Sequence, residues 1–595
     1  MQYSPIFCKM TVLYIYTMNE YNQSLLEQND KNEDKVTSSL FTMDMVHNNP
    51  GLLPYESNYC NPDFLISRGI EGKVFCFMDS AQFALLWDKF DKDIFPSGSS
   101  EREEILSLKQ CIKKKYKEAK NRGLKVYFMM DIVSLPQKLV EKYSNELLTD
   151  DKIDIMKPFT KKAMDYLFDE MFDEFPELDG LYIRYGENYV GPKYRMPLFR
   201  GNTPIIGDAI EYHRYLVNYL RQKVCVEKDK EIMYRSWGSE DNAQAYLKIT
   251  DTIEPHKNLY FCIKHTAGDF HRNTRFNQQL NTGKHQQVVE VQCAREYEGK
   301  GAYPNYVGAG VINGFEELQD FANEEKISLR DVINTPDSLI KGVWTWSRGG
   351  GWNGPYITGT NGTPGTKYPE DINGEVTIKN GSELWCDLNA YVISGWAKDT
   401  GKTDKYFVKK YAAEILGMNE TDSESLYKLC VLSSRGVLLG RSYHKGNTID
   451  CWWFRDQNMN YKRFLSDVKN AVETGTDNAL IKEKAESVSI WKDIVSIAEG
   501  LSDNLEAKDY IVTTAKYGYY LFAIIEKMYL ICISKLKKDS VYKSYEEEYE
   551  KLWAMWRDLY NNSNCCPTLY IKEDKPMDLI GYSGNVGFDC VLREI

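Results

Sequence analysis

Ionisable residues follow short apolar runs at several points in this chain. Arg184 and Glu187 close GLYIRYGE (180–187), and Arg235 and Trp237 close EIMYRSW (231–237). Lys264 and His265 lie near the end of LYFCIKHT (259–266), with Asp269 just beyond it. Glu290 and Gln292 lie near the end of QVVEVQC (287–293). A lone carboxylate after a strand is ordinarily solvated or paired. Several at successive strand ends are a different matter, because gathering charges in one place is costly without a charged ligand or a proton to move. Breaking a glycosidic bond uses such a set. One carboxyl group must be protonated to donate to the leaving oxygen, and another must be ionised to activate water or attack the sugar. Cations beside them hold an anionic substrate and help set the two protonation states.

The elements that must position these groups can be read from the pattern. Eight apolar runs are predicted as strands: 41–49, 73–78, 125–133, 180–187, 231–237, 259–266, 287–293 and 339–347. Helical patterns fall between most of them, such as 103–123, which stops at Gly123 after a basic last turn, and 160–172. Alternating strands and helices imply a parallel sheet, and eight parallel strands with intervening helices imply a (β/α)8 TIM barrel. In that fold the C-terminal strand ends open into the active-site face. Residues 1–40 read as an irregular extension, 41–380 as the (β/α)8 catalytic barrel and 381–595 as an all-helical C-terminal domain. The Gly-rich segment 347–375 follows the eighth strand and carries Trp352 and Tyr356, which suits a cleft wall. Trp237, Trp344, Trp346 and Trp352 are candidates for a sugar-stacking platform. Asp131, Asn48 and Asn49 are weaker candidates at the ends of the third and first strands, and His265 and His271 could each bind substrate or tune Asp269.

Composition narrows the partners. The 595 residues are 43% hydrophobic and 27% charged, an ordinary globular balance for more than one domain. A net charge of -12 repels phosphate backbones, so nucleic acid is not expected as a partner. No stretch reaches the roughly 18 uninterrupted apolar residues of a membrane span. The longest, YGYYLFAIIEKMYLICI, is broken by Glu526 and Lys527 and suits a buried helix. The start of the chain lacks a secretory-signal pattern, and the 14 Cys are scattered without CxxC pairs, which together predict reduced thiols and a cytoplasmic location. There is no zinc spacing, P-loop or GxGxxG after a strand, so no metal or organic cofactor is expected. The aromatic spacing of 546–562 suits core packing, with a homodimer through the helical domain as the alternative use.

Four segments in this order resemble glycoside hydrolase family 67, the α-glucuronidases that remove 4-O-methyl-glucuronic acid from xylan fragments. They are YIRYGENYVGP (182–192), MYRSW (233–237), CIKHTAGDF (262–270) and VVEVQCAREYEG (288–299), and the resemblance covers roughly residues 41–400. The resemblance implies an inverting hydrolase of a uronic-acid oligosaccharide. Glu187 matches the general acid, Asp269 and Glu290 the pair that activates water, and Arg235 and Lys264 the groups that bind the uronic carboxylate. The chain departs from the family in three ways. Ile183 stands where the family has a Lys, and Arg184 one residue later turns to the other face of a regular strand. The acid lies in Tyr-Gly-Glu-Asn rather than Asp-Ser-Glu, and only about 40 residues precede the barrel, so a distant relative lacking the family's N-terminal domain is implied. Two other readings stand beside this one: a glycosidase for another uronide or a neutral sugar, and a non-catalytic sugar-binding barrel.

Overall fold

Alternate residues of the apolar runs pack in two different places, and this decides the architecture. In a computed structural model eight parallel strands close into a barrel: β1 (Phe41–Val46), β2 (Gly72–Phe75), β3 (Lys125–Asp131), β4 (Gly180–Arg184), β5 (Glu231–Arg235), β6 (Leu259–Lys264), β7 (Gln286–Gln292) and β8 (Ile340–Arg348). The structure describes residues 39–595 apart from 47–56, 77–78, 186–189, 191–196, 202–204, 236–242, 296–297, 349–382, 442–452, 455–457, 460, 564, 566–569, 571 and 580–581. β1 pairs with both β2 and β8, which shuts the sheet. Side chains alternate across a strand. Met43, Val74, Tyr127, Met129, Tyr182, Met233, Cys262, Val288 and Trp344 therefore fill the lumen. Their neighbours Phe128, Ile183, Ile232, Phe261, Ile263 and Val289 join the outer core under the helices. The lumen is packed, as barrels of this size are. The Lys125–Glu231 pair, 2.8 Å apart, lies at its N-terminal end.

The barrel helices start and stop where local chemistry says they should. Helix α1 (Ser100–Asn121), between β2 and β3, opens on Ser99, whose side chain accepts from the Arg102 N–H. It ends just before Gly123 at φ +88°, a conformation that costs glycine little. Pro158 stands at the first turn of α2 (Pro158–Glu174), where a missing N–H is harmless. α3 (Ala209–Leu220) and α4 (Ala243–Thr250) follow β4 and β5. After β6 and β7 the long crossover helices give way to loops and short helical turns, and the loop after β6 brings Asp269 to Lys264 at the barrel mouth.

The rest of the chain is mainly helical: α5 (Leu384–Lys398), α6 (Asp404–Glu414), α7 (Glu420–Gly440), α8 (Tyr461–Thr474), α9 (Asp477–Glu499), α10 (Lys508–Leu536) and α11 (Tyr542–Asn561). α5 lies against β1 and β8, and the Ala397 carbonyl accepts from the Leu40 N–H at 2.8 Å. α10 carries the longest apolar run and is buried along it. Lys527 bridges to Glu548 at 2.8 Å, which accounts for the charges that interrupt the run. Among the described residues no helix is long and apolar enough to cross a membrane. The aromatic face of α11 is buried inside the chain: Tyr549, Trp553, Trp556 and Tyr560 are all in the core, with Trp556 4.9 Å from the Tyr517 ring of α10.

One buried carboxylate joins the barrel's closing strands. Asp44 points outward from β1, because Met43 and Met45 point inward. It accepts from the Ser347 hydroxyl (2.7 Å), the Ser347 N–H (3.0 Å) and the Thr345 hydroxyl (2.8 Å) of β8. Burial lifts its pKa to about 7 against the pull of these hydrogen bonds and of the Lys73 charge.

Candidate active site at the barrel mouth

The lumen-facing positions at the C-terminal ends of β3 to β7 are all polar: Asp131, Arg184, Arg235, Lys264, Glu290 and Gln292. The register from β3 to β4 runs unbroken from Met129–Tyr182 to Asp131–Arg184. No bulge is present there, so Ile183 goes to the outer core and Arg184 joins Tyr182 in the lumen. Arg184 does not project freely. Its Nε and Nη2 both donate to Asp131, the latter at 2.7 Å, and both side chains are buried.

A second bidentate pair crosses the mouth. Arg235 on β5 reaches past β6 to Glu290 on β7, with Nε to Oε2 at 2.9 Å and Nη2 to Oε1 at 2.8 Å. The side chains are 3% and 1% exposed, and both oxygens of the buried carboxylate accept from the guanidinium, which offsets the cost of taking the two charges out of water. Cys262, one layer below, places its thiol 3.9 Å from Oε2. The guanidinium carbon lies 5.7 Å from the ring centroids of Trp344 and of Trp346, in cation–π range. Gln292 is buried beside Trp346 in the β7–β8 register.

The third pair differs in kind. Lys264, buried at the end of β6, donates from Nζ to Asp269 Oδ1 at 2.6 Å. The Asp269 side chain is 54% exposed, the one carboxylate of these three pairs that solvent reaches readily. Partial burial pushes its pKa up, but the Lys264 charge and hydrogen bond outweigh this, with help from His271 and Arg235, and hold it below the ordinary range. Asp269 is thus an ionised, accessible acceptor above a layer of buried, paired charges. A carboxylate in that state can take a proton from water.

The structure sorts the residues expected from sequence. Arg184, Arg235, Lys264, Asp269, Glu290, Gln292 and Trp346 are brought to one end of the barrel. His265 is not with them, contrary to the substrate-binding or tuning role its position suggested. It follows Lys264 directly, so it faces the opposite side of the chain. It stacks between Phe270 (5.2 Å) and Phe315 (6.2 Å), and burial, with the Arg295 and Lys264 charges, pushes its pKa down to about 3. It is a neutral packing residue behind Phe270. Glu187, Trp237, Trp352, Asn48 and Asn49 lie outside the described residues, as do residues 1–38 and most of the Gly-rich segment. Arg235 and Lys264 were expected as grips for a ligand carboxylate, and each is committed to a carboxylate of the protein. Asp131 matters more than its weak sequence signal suggested, as the partner of Arg184.

No protein-family model and no curated protein matches the chain. Among solved structures it is similar to a GH138 enzyme targeting pectin rhamnogalacturonan II (12% identity, TM-score 0.45, covering 88% of this chain and 63% of that one). It is also similar to CpGH84D (12%, 0.41, 94% and 74%) and to a mutant of the Thermobaculum terrenum O-GlcNAc hydrolase (7%, 0.38, 89% and 92%). At this identity and this degree of superposition the comparisons carry no argument about substrate.

Proposed function

We propose that this chain is an exo-acting, inverting glycoside hydrolase that releases a terminal uronic acid in the manner of an α-glucuronidase. One observation carries the reading: Asp269 is an exposed carboxylate, kept ionised by a buried lysine, at the C-terminal mouth of a (β/α)8 barrel. In this reading Asp269 takes a proton from the water that attacks the anomeric carbon. Glu187 gives a proton to the leaving oxygen. Glu290, with both oxygens on Arg235, supports the site by orienting that guanidinium and meets water less directly than Asp269 does. Trp346 and Trp344 supply an apolar floor. Water is the only co-reactant.

The uronic acid is supported by the number of cations in the mouth. Arg184, Arg235 and Lys264 converge there, and a guanidinium or ammonium already facing one carboxylate can be shared with a second. A second reading, a neutral sugar, is favoured by the same pairs viewed the other way: three cations meet three carboxylates, which leaves the described mouth neutral.

Mixing the protein with a 4-O-methyl-glucuronic acid-bearing xylo-oligosaccharide, and in parallel with neutral xylo- and gluco-oligosaccharides, separates the readings. Anomeric proton NMR should show free uronic acid appearing first as the β-anomer. The α-anomer first would sink the inverting assignment. Product from a neutral substrate alone would replace the uronide reading, and binding by calorimetry with no product from any of them would favour a sugar-binding barrel.

A further inference from the structure

The loop that carries Asp269 is anchored from behind by a buried ionic network, and the network extends into the helical region. Arg272, three residues after Asp269, is 2% exposed. Its Nε lies 2.7 Å from Glu298 Oε1, and its Nη2 donates to Glu298 Oε2 at 2.9 Å and to Asn305 Oδ1 at 3.1 Å. Asn305 donates in turn to Glu298. Arg295, in the loop after β7, donates from Nη2 to the His271 carbonyl at 2.9 Å, while its other arm holds the buried Glu317. Between these anchors the His271 N–H donates to the Asp269 carbonyl at 2.8 Å, which closes a tight turn on Asp269 itself.

The far side of the network belongs to the helices. Arg441, at the C-terminal cap of α7, lies 3.6 Å from Glu298 Oε1. The buried Lys484 of α9 donates to the carbonyls of Leu439 (2.6 Å) and Arg441 (2.7 Å), so an ammonium closes the end of α7 and fixes where Arg441 leaves it. Burying several guanidiniums and carboxylates together is an expensive way to gain stability. Here two of the guanidiniums, from different loops, act on the same turn.

We infer that Arg272 and Arg295 are positioning residues that hold Asp269 against Lys264, and that Arg441 and Lys484 make the helical region part of that support. This rests on Asp269 acting as the base in the proposed hydrolysis. Displacing a reacting group by about 1 Å can cost on the order of 100-fold in rate without weakening substrate binding.

The test uses the full chain with Arg272→Lys and, in case that variant folds poorly, the more distant Arg441→Gln. Hydrogen exchange of peptides spanning 266–276 is read beside kcat and KM, each per folded molecule. The expected result is faster exchange in that loop, unchanged exchange in β3 to β7, a fall in kcat of roughly 100-fold for Arg272→Lys and less for Arg441→Gln, and KM within about twofold. Loop protection equal to wild type in both variants overturns the anchoring. Faster exchange with kcat unchanged overturns the positioning role. If the wild type hydrolyses nothing, the hydrolase reading falls on its own, and exchange still decides whether the network holds the loop.

Discussion

Lys264 and Asp269 stand five residues apart in the chain and 2.6 Å apart across the barrel mouth, one buried and the other half in solvent. The asymmetry gives the pair a direction. The lysine is held in the barrel, and its charge and hydrogen bond outweigh the burial of the aspartate, which is left ionised where a ligand can meet it.

The pH dependence of activity should report this pair. Asp269 has a depressed pKa, so a base role is present above that pKa and lost as pH falls through it. Lys264→Met removes the main group that depresses it. The acid limb of kcat/KM should then move to higher pH, with a deficit that is largest on the acid side and narrows toward pH 8. An acid limb that stays in place would assign it to another group.

Glu187→Gln keeps the shape of the side chain and removes the proton. It should lower kcat by roughly 10²–10⁴-fold and leave the melting temperature where it was. The effect should shrink on a substrate with a good aryl leaving group, which needs little protonation. Equal losses on both substrates would argue against a general acid.

Much of the frame was legible because period-2 alternation is local. FTMDMV, GLYIR and EIMYR each place their polar residue by counting, and all eight strands lie within the runs predicted or one residue outside them. Counting also contained the correction for His265, since adjacent residues of a strand cannot both face the lumen. Arg235 bonding Glu290 was not legible. That contact spans two strands, and its level in the barrel depends on strand tilt and stagger, which no single segment encodes. The anchoring of Arg272 by Glu298, a carboxylate that Arg441 also faces, was hidden for the same reason. It joins a loop, a second loop and a distant helix end, and each looks like an ordinary surface charge in the sequence.

The Arg235–Glu290 pair complicates the obvious test of uronate recognition. Arg235→Ala removes a ligand contact in that reading and also strands a buried carboxylate. Arg235→Met alone should destabilise the protein by about 3–5 kcal/mol, and Glu290→Leu alone by a similar amount. The double variant should be clearly more stable than the sum of the two losses, because neither charge is left unpaired. Calorimetric unfolding of the four proteins measures the coupling. Additive losses would mean that the pair does not form as described, and Arg235→Ala kinetics could then be read as substrate recognition alone.

Asp44 gives a prediction about stability rather than rate. Its pKa of about 7 in the folded protein stands above the ordinary 3.8, mainly because burial disfavours the charge. The folded state therefore binds the proton more tightly than the unfolded chain does. The stability this contributes is complete below about pH 4 and is lost as pH rises toward 7. Asp44→Asn removes the charge and can keep the contacts: its carbonyl can accept from the Ser347 N–H, and its amide can donate to the Ser347 hydroxyl. The variant should match wild type near pH 4 and exceed it at pH 8, by up to about 4 kcal/mol for a shift of this size. Melting temperatures across that range decide the matter. A variant whose advantage is the same at every pH would show that Asp44 does not titrate in the folded barrel, and that the seam between β1 and β8 tolerates its charge.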